Sequence, residues 1–124
     1  MSERVVLCYG DSNTWGSKPV VGGRFPRDVR WPTVLASELG DDWRILVLGL
    51  PRLGRFEAGD AYDGVTEKAD RLPDALRAEP GLAGVELLEL HEIAAYADGD
   101  GFHLDEGGHL AVGRAVARRI AAMF

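Results

Sequence analysis

Two short apolar runs constrain this chain more than any other feature: Val5-Val6-Leu7-Cys8-Tyr9 and Ile45-Leu46-Val47-Leu48. Each has the length and β-branched content of a strand packed on both faces, and a glycine, Gly10 or Gly49, stops each one. A helical pattern lies between them. Trp31-Pro32 opens it, with the proline at a first-turn position whose amide has no partner; Val34, Leu35 and Leu39 continue an apolar face and Gly40 closes it. A strand, this helix and a second strand over Arg44 to Leu50 make one βαβ unit, and right-handed crossover sets its strands parallel.

The remaining segments extend the alternation. Ser17 to Arg30, with Pro19, Gly22, Gly23 and Pro26, reads as a loop positioned to border a pocket. Leu50 to Val65 is glycine-rich and irregular. Thr66 is placed to cap a helix through Ala69, Leu72, Leu76 and Ala78, which Pro73 either kinks or restarts. Val85 to Leu90 reads as a third, shorter strand, His91 to Ala97 as a helical turn, and Asp98-Gly99-Asp100-Gly101 as a turn. Asp105 caps a final helix with Leu110, Val112, Val116, Ile120 and Met123 on its apolar positions. The order β-α-β-α-β-α predicts one domain over residues 1–124, a small three-layer α/β sandwich with a short parallel sheet.

Composition narrows the function classes. A chain of 124 residues buries about two-thirds of its extended surface. The formal net charge of −6 argues against nucleic acid or anionic membranes as partners. Lys18, Arg24, Arg27 and Arg30 share the Ser17–Arg30 loop, where scattered solvated charges are the simpler expectation. No apolar run is long enough to span a bilayer, and the segment after Met1 lacks a secretory core, so the expected setting is the cytoplasm, or a mature form elsewhere. The single Cys8 forms no internal disulfide and reads as a small core residue.

Chemistry concentrates at the end of the first strand. Gly10 is expected to let the backbone turn sharply, and Asp11 to receive backbone hydrogen bonds there. Ser12 then stands at the tip, either as a plain helix cap or as a nucleophile, which needs a base and a group to orient that base. Asp100 and His103, three residues apart before the last helix, supply such a pair. His91 and His109 are expected to be structural or exposed. The spacing of His103, Asp105 and His109 fits no standard metal pattern.

These blocks resemble a known family. Gly10-Asp11-Ser12 followed by Asn13-Thr14-Trp15-Gly16 is similar to the first block of the GDSL, or SGNH, hydrolases, above all their bacterial arylesterase and acyl thioesterase branch. Arg30-Trp31 recurs in that branch. Asp100-Gly101-Phe102-His103 matches the family's last block, with Leu104 and Gly108-His109 also familiar. The resemblance implies a reduced, flavodoxin-like or SGNH-like fold and a serine esterase or thioesterase acting on small acyl esters, with Ser12 as nucleophile, His103 as base and Asp100 as its orienter. It implies no cofactor and no metal. The family's oxyanion donors are the serine amide, a glycine amide and an asparagine side chain from a Gly-x-Asn-Asp block, but the only asparagine here is Asn13. Ser12 is therefore the expected donor, with Gly49, Gly54 or the Asn13 side chain as helpers, and reduced activity follows.

Two alignments of the middle are open. Gly49-Leu50 stands for the family's second block, or Ile45 to Leu53 corresponds to a later strand; the second, which is favoured, implies a missing central segment. A missing strand leaves an apolar edge, so self-association is expected. The competing readings are a catalytically inactive, self-associating scaffold and a flavodoxin-like nucleotide or phosphate binder. The latter is disfavoured because no glycine-rich phosphate loop is present.

Overall fold

The computed structural model describes residues 4–49, 65–94 and 103–124. Its elements are β1 (Arg4–Gly10), α1 (Ser12–Trp15), α2 (Trp31–Leu39), β2 (Trp43–Gly49), α3 (Val65–Ala78) and α4 (Glu106–Met123). Two 3₁₀ turns, Pro80–Leu82 and Leu90–Glu92, lie between α3 and α4. The βαβ unit forms as expected: β1 and β2 pair in parallel, in a register that runs from Arg4 opposite Trp43 to Gly10 opposite Gly49. Pro32 occupies the first turn of α2, and Gly40 caps its end at φ 84°.

One face of the sheet carries the core. Cys8, Leu35 and Ala117 are its buried centre, with Val6, Trp31, Leu39, Ile45, Val116 and Ile120 packed around them. Gly113 explains how closely α4 crosses α2, because a Cβ there would lie 2.5 Å from Val34 Cβ and 2.8 Å from the Trp31 carbonyl oxygen. Val112 is fully buried, whereas Leu110 and Met123, expected on the same apolar face, are exposed. The buried stripe of α4 instead follows His109, Val112, Gly113 and Ala117. The opposite face of the sheet is open. Val5, Leu7 and Tyr9 of β1 are 54%, 59% and 68% exposed, and Leu46 and Leu48 of β2 are 43% and 50% exposed.

The expected third strand does not form. Among the described residues the sheet has two strands, and Val85 to Glu89 runs without ladder hydrogen bonds into the turn at Leu90. Side-chain charges hold that segment instead: Arg119 of α4 donates to Glu86 at 2.7 Å, and Arg77 of α3 pairs with Glu89. A continuous apolar run is compatible with a strand, but only a neighbouring edge makes it one. α3 is a single helix with Pro73 inside it, and Thr66 lies in its first turn rather than capping it. No described helix is long and apolar enough to cross a membrane.

Candidate active site

The turn after β1 is built by close approach. Gly10 is not among the described glycines with positive φ, so a reversed backbone is not why it is needed there. A Cβ at Gly10 would fall 2.4 Å from Thr14 Oγ1, and one at Gly49 would fall 2.3 Å from the Trp15 backbone nitrogen. The two paired glycines therefore let α1 sit directly on the strand ends. α1 closes at Gly16, where φ is 100° and the N–H donates to the Ser12 carbonyl at 2.8 Å.

Asp11 is the cap of α1. Its Oδ1 accepts the Asn13 N–H at 2.9 Å, the backbone-stabilising part expected of it. With the capping position filled by Asp11, the Ser12 hydroxyl has another partner: Ser12 Oγ lies 3.0 Å from His103 Nε2. Ninety-one positions of sequence separate the two residues. Nε2 accepts a hydroxyl proton when Nδ1 carries the ring proton, so this contact leaves Nδ1 as the position for an orienting acceptor. Ser12 is also the first residue of its helix, where the backbone N–H has no intrahelical carbonyl to meet. Asp100 and Gly54 lie outside the described residues.

Asn13 has a contact that its residue type does not announce. Its Oδ1 accepts the N–H of Leu104, the residue after His103, at 2.9 Å. Gly49 is held against the α1 backbone. His109 is structural, fully buried in α4, with Nδ1 accepting the Trp31 N–H at 3.1 Å and its ring edge-on to Phe25. Burial pushes the Cys8 thiol up to about 11, which makes it a poor nucleophile.

The basic loop braces the site from one side. The Arg24 guanidinium lies 4.8 Å from the centre of the Trp15 ring, and its Nε donates to the Trp15 carbonyl at 2.6 Å. Arg30 Nε donates to the Phe25 carbonyl at 2.9 Å. Burial first, then the nearby charges of Arg24 and Arg27, hold the Arg30 pKa below its ordinary value. These arginines form a local cluster, and Arg24 and Arg30 use their guanidinium groups to tie the loop to α1 and to itself. The pairing of Trp15 with Arg24 has no signature at their nine-residue spacing. A hydroxyl in hydrogen-bond contact with an imidazole is the arrangement that acyl transfer requires of a nucleophile and its base.

No protein-family model matches the chain, and no curated protein is significantly similar to it. Solved structures do match. Est24, a carbohydrate acetylesterase from Sinorhizobium meliloti, aligns with a TM-score of 0.69 at 20% identity, over 98% of this chain and 100% of its own. A carbohydrate acetylesterase family member from the same organism gives 0.69 at 19% identity, over 97% and 98%. The native M. smegmatis aryl esterase gives 0.69 at 18% identity, over 99% and 100%. These likenesses establish the fold, an SGNH-like α/β architecture, in which the described residues form a short two-stranded parallel sheet.

Proposed function

We propose that this protein is a serine esterase or thioesterase that hydrolyses small acyl esters. The 3.0 Å contact between Ser12 Oγ and His103 Nε2 carries the reading. The Ser12 oxygen attacks the carbonyl carbon as its proton passes to Nε2. The tetrahedral intermediate then collapses, its bond to the leaving oxygen or sulfur breaks, and His103 returns the proton to that atom. Water, deprotonated by His103, cleaves the acyl-serine to release the acid and restore the hydroxyl. Asp100 orients the imidazole in this scheme. The Ser12 N–H is the principal oxyanion donor, with Gly49 and Gly54 as secondary candidates. A family-type asparagine block is absent, and one lost donor costs about 10²–10³ in rate, so turnover is slow and favours activated esters such as aryl acetates. The acetylesterase and aryl esterase character of the structural neighbours supports the same substrate class.

Ser12→Ala is expected to reduce aryl acetate hydrolysis by purified protein to the buffer rate. An unchanged rate would remove the mechanism.

Self-association belongs to the same proposal. Val5, Leu7, Tyr9, Leu46 and Leu48 together expose on the order of 500 Å², near the upper end for a monomer's largest apolar patch. Two copies that pair this face bury about 1,000 Å², the lower bound for a specific interface. The inactive-scaffold alternative shares this surface and differs only in predicting no activated serine.

A further inference from the structure

We infer that Asn13 is a positioning residue, whose side-chain carbonyl ties the segment carrying His103 to the turn carrying Ser12 and so fixes the distance over which the proton moves. The inference rests on the catalytic reading of Ser12 and His103. Its geometry is a double cross-link: Ser12 meets His103, and the next residue on each side, Asn13, meets Leu104. Both links span the same ninety-one positions of sequence and join the first turn of the fold to the last.

Each end of the second link is itself held. The Asn13 N–H donates to the Asp11 cap at 2.9 Å, so the residue is fixed within α1. Leu104 is 3% exposed, and its N–H precedes the first turn of α4, outside the helical ladder, so burial obliges it to find an acceptor. One residue further on, Asp105 Oδ1 accepts the Gly108 N–H at 2.7 Å and fixes the start of α4. The His103 backbone therefore enters a segment held at Leu104 by Asn13 and at Asp105 by its own helix. His103 itself stands in a bend, not in a helix or strand, and the tie to Asn13 acts on the residue directly after it. Asn13, read from sequence as a helper for the oxyanion, contributes here by holding the base.

The chemistry specifies the variants. Aspartate keeps an acceptor at the same reach, leucine keeps the bulk without an acceptor, and alanine removes both. Asn13→Leu and Asn13→Ala are expected to lower kcat for aryl acetate hydrolysis by about 10–100-fold, as displacement of a reacting group by about 1 Å does. KM is expected to stay within about 3-fold, and amide exchange at Leu104, read by NMR, to accelerate. Asn13→Asp is expected to recover most of kcat and to keep the Leu104 amide protected. Wild-type kcat in Asn13→Leu, alongside a dead Ser12→Ala, would overturn the inference and leave the catalytic reading intact. An active Ser12→Ala would instead overturn the catalytic reading, while Leu104 exchange still reports on the tie itself. Should Asn13→Leu fail to fold, rapid Leu104 exchange in the wild-type protein, or an Asn13→Asp variant as slow as Asn13→Ala, would overturn the inference.

Discussion

His109 shows how much one buried side chain contributes. It caps α2 from another helix: Arg30, at the N-cap position, makes no side-chain bond there, and His109 Nδ1 accepts the Trp31 N–H instead. Its Nε2 has no hydrogen-bond partner among the described residues, and the ring is fully buried. Burial pushes its pKa down to about 4; the Asp105 carboxylate opposes the shift and Arg30 reinforces it. The unfolded chain, with a histidine near its ordinary 6.5, takes up the proton first as pH falls. The stabilisation is therefore complete above about pH 6.5 and is lost as pH falls towards 4, a change of about 3 kcal/mol. Urea unfolding at pH 7 and pH 4.5 is expected to show the drop, and His109→Gln to flatten it. Cys8, with its thiol near 11, is expected to resist alkylation until the protein unfolds.

Among the elements, the strand ends and the helix crossing are the least tolerant of change. Gly49→Ala places a methyl group on the α1 backbone, which has no side-chain rotamer to yield, and Gly113→Ala does the same between α2 and α4. Each is expected to cost at least about 2 kcal/mol in denaturant unfolding. Gly49→Ala should also reduce esterase activity, because α1 carries Ser12. Locally encoded elements were legible in the sequence: β1, β2, the Pro32 and Gly40 bounds of α2, and the Asp105 cap of α4 each follow from a few adjacent residues. The juxtaposition of Ser12 and His103 was legible as a candidate pairing from residue chemistry, and more sharply through the resemblance of two short blocks. What depends on distant partners was not legible. Val85 to Leu90 has a strand's composition but pairs with no strand among the described residues, Gly10 is needed for the position of Thr14 rather than for a reversed φ, and the Asn13–Leu104 tie exists only once the chain ends meet.

At the scale of the whole molecule, the site and a groove lie towards opposite ends of the sheet. Ser12 and His103 sit at the C-terminal ends of the strands. A groove of about 540 Å³ lies along β1 towards the opposite end, lined by Arg4, Val5, Leu7, Trp43, Ile120 and Phe124 among others. It shares Val5 and Leu7 with the open apolar face. Sedimentation is expected to show concentration-dependent association, and Leu7→Lys to shift the population to monomer while Ser12 chemistry persists; a wild-type chain that stays monomeric at every concentration would count against pairing through this face. Activation of Ser12 by His103 can be read with a fluorophosphonate probe, the adduct being located by mass spectrometry. One covalent adduct is expected, on Ser12, and its loss in His103→Ala; folded wild-type protein left unlabelled at Ser12, or labelled equally well without His103, would rule this activation out.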